Sequence, residues 1–346
     1  MENQLKFTED WSYCGLRTII MENSLVRLSI LLDLGAKMHE FIYKPLDTDF
    51  LWHNPRVKAQ KAPLGGKFDD FWSGGWDEIF PCDTQCQYKG DFFPDHGELW
   101  SLGWDYELEE HSAERLAVRL RTRGFATPSI VEKQIVLKPG ETKVTITYTV
   151  KNEGFTDMDF VWKIHPAFAV TPQHRIDIPA GMVIVDPDFR DELPQGVDSF
   201  KWPLMQLAGG ETRDMRKIPP AEAGITHFQY AAELRAGWCA VTDTERRVGL
   251  GLVFPKDLFP FIWLFLPYGG WRGHYTALLE PSVGCPYDFN ETVARGNFLS
   301  LQPGKSLEWE VTAVIYTGLG SVGFISKDGE VAEEETGLRG AERRRC

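Results

Sequence analysis

Apolar and polar residues alternate one by one in segment after segment of this chain, and that period of two does most to restrict its fold. Val26, Leu28, Ile30 and Leu32 alternate with Arg27 and Ser29, and Leu116, Val118 and Leu120 with Arg115, Arg119 and Arg121. Val144, Ile146, Tyr148 and Val150 alternate with Thr145, Thr147 and Thr149, and Leu307, Trp309, Val311, Ala313 and Ile315 with Glu308, Glu310 and Thr312. Successive side chains of a strand point to opposite faces, so each segment reads as a strand with one packed face and one wet face. Strands of this kind pair antiparallel. Lys138-Pro139-Gly140 and Gln302-Pro303-Gly304 supply turn chemistry in front of two of them. No segment keeps a helical apolar period for long. The expected fold is therefore all-β, a large antiparallel β-sandwich formed by a single domain over residues 1–321. Residues 171–225, rich in Pro, Asp and Gly, read as long loops or an insertion over the sheet, and residues 322–346 as a flexible tail.

Composition narrows the partners. A formal net charge of −13 disfavours nucleic acid, which needs a basic stripe, and suits a small ligand. No uncharged apolar run approaches the ~18 residues that span a bilayer. The start, MENQLKFTEDW, has neither a basic nor an apolar leader region, so no secretory signal is expected and the protein reads as cytoplasmic. Cys82 and Cys86 are spaced CxxxC without a second Cys or His pair, which points to reduced thiols and no metal site. Aromatic residues make up 13% of the chain, with 12 Trp. Such a surplus serves either an aromatic-rich core or a site where the C–H face of a sugar packs on a ring.

Three segments interrupt the strands with groups that can carry chemistry. The first holds GGWDEIFPCDTQ and FPDHGELWSLGW, where Gly74, Gly75 and Pro81 imply irregular backbone that a ligand can approach. In it His96 lies between Asp95 and Gly97, with Trp76, Phe80, Phe92, Phe93, Trp100 and Trp104 as possible pocket walls. The second is VWKIHPAF, in which Pro166 is expected to stop the strand and leave His165 at a sheet rim, titrating near neutrality. The third runs from Trp271 through Arg272, His274 and Glu280 to Pro281. Glu280 closes an apolar run, where a carboxylate is costly unless paired or functional, and burial would raise its pKa towards general-base range. Arg272 and His274 are the nearby candidates to pair with it.

In this order the segments resemble the aldose 1-epimerase (galactose mutarotase-like) superfamily, nearest its glucose-6-phosphate 1-epimerase-like branch. The resemblance spans roughly residues 20–317 and rests on LDLGAKMHEF, FLWHN, GGWDEIFPC, FPDHGELW, IHPAF and LLEPSVGCPYDFN. It implies a supersandwich fold and a sugar substrate, with no cofactor. It also implies catalytic roles for Glu280 as base, His165 as acid and His96 as hydrogen-bond donor near the ring oxygen. Asp77, Glu78, Trp76, Trp100 and Arg272 are candidates to contact the sugar. One departure matters. The phosphorylated-sugar branch continues its His-Gly motif with a small residue and Arg, whereas Gly97 is followed here by Glu98-Leu99-Trp100, which removes an expected cation. The reaction implied is interconversion of α and β anomers by ring opening and reclosure. A carbohydrate-binding protein without catalysis on the same fold is the alternative.

Overall fold

Val144, Ile146, Tyr148 and Val150 of the strand Lys143–Asn152 are buried, and the threonines between them are half-buried. Fully burying one such aliphatic side chain contributes about 1.5–3 kcal/mol, so the alternation commits the strand to one face. The computed structural model describes residues 4–189 and 193–334. Within these, most strands join two large antiparallel sheets. The eight-stranded sheet runs His174–Asp177, Trp238–Asp243, Val248–Val253, Ser306–Thr317, Lys143–Asn152, Ser129–Leu137, Leu116–Arg123, Asp105–His111.

The other sheet has twelve strands, and its centre carries the chemistry. There Lys37–Tyr43, Trp76–Ile79, Lys163–Phe168, Ala277–Ser282, Phe261–Tyr268 and Ile225–Ala232 lie side by side. Apolar side chains of the two sheets merge into one large core. The two α-helices among the described residues, Phe68–Phe71 and Phe289–Ala294, are short, and no helix there is long and apolar enough to cross a membrane.

Several sequence expectations need correction. Lys6–Tyr13 and Leu16–Glu22 add two strands ahead of the first alternating segment read from sequence. Residues 171–225 are no mere overlay: His174–Asp177 joins the eight-stranded sheet, and Met182–Val185 and Ser199–Lys201 extend the larger one. The tail is folded through residue 334. Phe324–Ile325 pairs with Val331–Ala332, and Val322 and Ile325 bury against Trp238, Val314 and Tyr316. Residues 335–346 lie outside the described residues.

His165 is central rather than at a rim. Its strand continues through Pro166 to Phe168 and is paired on both sides. With the strand Ala277–Ser282, pairing is made at Lys163↔Ser282 and again at Ala167↔Leu278. Pro166 and Pro281 fall in the interval and have no N–H to give, so the ladder opens there without the strand ending.

Candidate active site

Period-two geometry puts Lys163 and His165 on the same face of their strand, and Glu280 on that face of the neighbouring one. All three side chains are buried, Glu280 being 1% exposed. Glu280 Oε1 lies 4.0 Å from His165 Nε2, and Glu280 Oε2 lies 2.8 Å from Lys163 Nζ. Lys163 approaches Oε2 as an ion pair, off the hydrogen-bonding direction. Its ammonium also donates to Asp83 Oδ1 and sits 3.9 Å from the centre of the Trp263 ring. So the carboxylate is paired, but with Lys163 rather than with Arg272 or His274.

His96 comes from the loop between the strand Asp91–Phe93 and the short helical turn Leu99–Ser101. Its backbone has φ +55°, a left-handed conformation that costs a non-glycine residue about 1–3 kcal/mol. Its N–H donates to Asp83 O at 2.5 Å, and the Glu98 N–H donates to Phe80 O at 2.7 Å. Gly97, at φ +67°, lies so close to Phe80 that a Cβ there would fall 1.9 Å from the carbonyl oxygen. Glycine is thus the residue this turn admits.

Asp95 then fixes the imidazole. One carboxylate oxygen pairs with His96 Nδ1 at 2.9 Å, while the other accepts the Phe68 N–H at 3.0 Å. Phe68 stacks flat on His96 with ring centres 4.2 Å apart and meets His165 edge-on at 5.5 Å. The two imidazoles are 6.0 Å apart, centre to centre. One aromatic ring therefore spaces both histidines.

These groups open into a cavity of about 220 Å³. Glu280, His165, His96, Lys163, Asp83 and Asp69 line it with Thr84, and its aromatic wall is Phe68, Trp72, Phe189, Phe228, Phe265, Trp271 and Tyr287. The wall expected from sequence is elsewhere: neither Trp76, Phe80, Phe92, Phe93, Trp100 nor Trp104 lines the cavity. Among the described residues no group of His, Cys, Asp and Glu is arranged to hold a metal.

The five residues expected to touch a sugar are likewise placed around the cavity rather than in it. Trp76 and Glu78 point into the core, and Glu78 is held by Lys133 and Tyr148 of the opposite sheet. Asp77 shares the face of His165 but lies buried against Lys37 at 3.1 Å. Trp100 supports the His96 loop, donating from Nε1 to Asp95 O and meeting Phe68 edge-on. Arg272 is exposed at the edge, where it braces Asp69 at 3.5 Å. The reason is one of register: Trp76–Ile79 is the strand beside His165, and its side chains alternate between the core and the face that carries His165. Glu98, standing where the resemblance expects no carboxylate, accepts from the Phe125 and Ala126 N–H groups and from Thr127, so it anchors a turn of the other sheet.

Electrostatics separate the three central groups. Burial raises the Glu280 pKa above its ordinary 4.5, outweighing the attraction of Lys163. Burial and then the Lys163 charge push His165 well below its ordinary 6.5, leaving a neutral imidazole near pH 7. For His96 burial also acts against charge, but Asp83 and Asp95 outweigh it and raise the pKa above 6.5. Lys163 remains an ammonium, because Asp83 and Glu280 more than offset its burial. The site thus holds a buried carboxylate, an imidazole biased towards its neutral form and one biased towards its charged form around one cavity.

Sequence reasoning missed Lys163, Asp83, Phe68 and Asp69. A signal existed for the first: Lys163 stands two residues before His165 in an apolar strand, hence on the same face, where an unpaired ammonium would be untenable.

Neither a protein-family model nor a curated protein sequence matches the chain. Solved structures do match its fold. A galactose mutarotase-like protein from Clostridium acetobutylicum aligns with a TM-score of 0.65 over 91% of this chain and 99% of its own, at 14% identity. The Slr1438 protein from Synechocystis gives 0.64 over 90% and 98%, at 19% identity. A galactose mutarotase related enzyme from Lactobacillus acidophilus gives 0.58 over 87% and 97%, at 15% identity. The chain has the galactose mutarotase-like fold.

Proposed function

We propose that this protein is an aldose 1-epimerase-type isomerase that interconverts the α and β anomers of a sugar. The observation that carries the reading is the meeting of Glu280, His165 and His96, remote in sequence, around one aromatic-walled cavity. A galactose mutarotase related enzyme and a galactose mutarotase-like protein with the same fold give the reading its context.

The chemistry needs a base for the C1 hydroxyl proton and an acid for the ring oxygen. Glu280 is the base: burial keeps its carboxylate proton-seeking, and Oε1 is free of Lys163. It takes the C1–OH proton as the C1–ring-oxygen bond breaks and the electron pair passes to that oxygen. The acid role moves from His165, where the resemblance placed it, to His96. Of the two imidazoles, His96 is the one whose charged form the adjacent carboxylates favour, and it delivers its proton to the departing ring oxygen. His165, neutral beside the ammonium of Lys163, donates an N–H hydrogen bond to a sugar oxygen and stabilises charge developing there. Rotation about C1–C2 and reclosure, with the proton transfers reversed, gives the other anomer. Atoms and electrons balance without redox change.

The test is anomer exchange followed by NMR over a panel of free hexoses, hexose 6-phosphates, uronates and sulfonated sugars. Acceleration of at least one aldose is expected. Sugar binding without exchange anywhere in the panel would instead mark a binding protein and end the enzymatic reading.

A further inference from the structure

Lys163 lines the cavity but has no proton to move in the mechanism. Lys163 is 4% exposed along its side chain and lies between two carboxylates that both face the cavity. We propose that Lys163 is the positioning residue of the catalytic base, holding one oxygen of Glu280 so that the other faces the substrate, with Asp83 as its anchor. This rests on the reading of the cavity as an acid–base site.

Three contacts fix the ammonium. Asp83 Oδ1 accepts from it, Glu280 Oε2 stands 2.8 Å away, and the Trp263 ring covers it at 3.9 Å. Trp263 cannot drift, because its Nε1 donates to Gly284 O at 2.8 Å and its residue pairs directly with Glu280 across the ladder. The carboxylate is therefore held at Oε2 from one side, while Oε1 is turned towards His165 at 4.0 Å. A buried carboxylate with both oxygens engaged would be a poor base, and one with neither engaged would be free to rotate away from the sugar.

Asp83 settles the balance of charge. One ammonium is shared by two carboxylates, so Glu280 is oriented without being neutralised in a closed pair. Asp83 also gives its backbone carbonyl to the His96 N–H, which ties the anchor to the acid's loop. The charged and titratable groups around Glu280 are Lys163 and His165 from the adjacent strand, Asp83 from the loop after Trp76–Ile79, and His96 from its own loop. The strand Phe261–Tyr268 on the other side presents Trp263.

Two variants shift these groups in opposite directions. Lys163→Met removes the cation that favours the Glu280 carboxylate, so the ascending limb of the pH–rate profile moves to higher pH. Asp83→Asn removes a negative neighbour and leaves Lys163 to Glu280 alone, so the same limb moves to lower pH. Near neutrality Lys163→Met should lower kcat about a hundredfold while KM changes by less than about threefold, the mark of a misplaced base rather than lost binding. Lys163→Arg restores the charge and with it the parent's limb.

Lys163→Met with the parent's kcat and limb would overturn the proposal. So would a loss of rate uniform across pH, which is what a purely structural lysine gives. If Lys163→Met fails to fold, Asp83→Asn decides: a limb that does not move to lower pH overturns the proposal. The Glu280 carboxyl carbon, titrated by NMR in the sugar-free protein, makes the comparison without turnover. Its titration displaced upward in Lys163→Met, with no anomer exchange by the parent, would retire the mutarotase reading and keep the coupling. An undisplaced titration overturns the coupling itself.

Discussion

Two buried lysine–glutamate pairs lie among the described residues, and their surroundings differ. Between the sheets, Lys133 Nζ donates to Glu78 Oε2 and to Ala36 O, each at 2.9 Å, and Tyr148 donates to Glu78 Oε1 at 2.7 Å. Both carboxylate oxygens are engaged, so the low dielectric that makes a buried charge costly also makes its bonds strong. At the cavity, Lys163 meets Glu280 Oε2 at a similar distance, while Glu280 Oε1 faces His165 Nε2 at 4.0 Å. The first pair is closed and joins two sheets. The second is left open towards a cavity. On the proposed reading, an oxygen left facing the cavity is what separates the Glu280 carboxylate from that of Glu78.

The largest expected effect breaks the open pair. Glu280→Gln should lower anomer exchange by about 10²–10⁴-fold, read by NMR exchange, while the denaturant midpoint stays near the parent's. Equal exchange in the variant would remove Glu280 from the mechanism. The mirror experiment breaks the closed pair: Glu78→Gln leaves the Lys133 ammonium without its counter-charge and should cost about 3–5 kcal/mol of stability by urea titration. Exchange per folded molecule should not change, and if it did, Glu78 would belong to the site after all.

Acid–base assignment gives a sharper comparison. Exchange requires Glu280 ionised and the proton donor charged. Both the Glu280 and His96 values are raised, so the profile should climb through a limb above 4.5 and descend through one above 6.5. Were His165 the donor, its depressed value would bring the descending limb below 6.5. A His96→Asn profile that keeps the parent's descending limb would return the acid role to His165. The smallest effect comes from replacing the closed pair whole. Glu78→Leu with Lys133→Met should regain most of the stability lost by Glu78→Gln, because neither charge is then buried alone.

Much of the site was legible because it comes in short motifs. His96, His165 and Glu280 each stand where a strand pattern breaks, and the structure brings all three to one cavity. The residues around them were not legible in the same way. Trp76, Asp77 and Glu78 are consecutive, yet the first and third face the core while the second lies against Lys37. Which of them shares the face of His165 depends on pairing register, and a shift of one residue exchanges the faces. Phe228 and Phe265 wall the cavity from segments that carry no marking in the sequence beyond being aromatic.

What the sequence determined by itself is what local periodicity and turn chemistry can dictate: an all-β chain, antiparallel pairing and the apolar face of strands such as Lys143–Asn152. Tertiary structure alone decided that Lys163–Phe168 lies beside Ala277–Ser282, since strands so distant in the chain meet through packing and ladder bonds rather than through any neighbour preference. That adjacency placed Lys163 against Glu280, and Asp83 against Lys163. Charge at a buried site is a property of what surrounds it in space. The same adjacency that joins the groups therefore also decided which imidazole is pushed towards its charged form and which carboxylate oxygen faces the cavity.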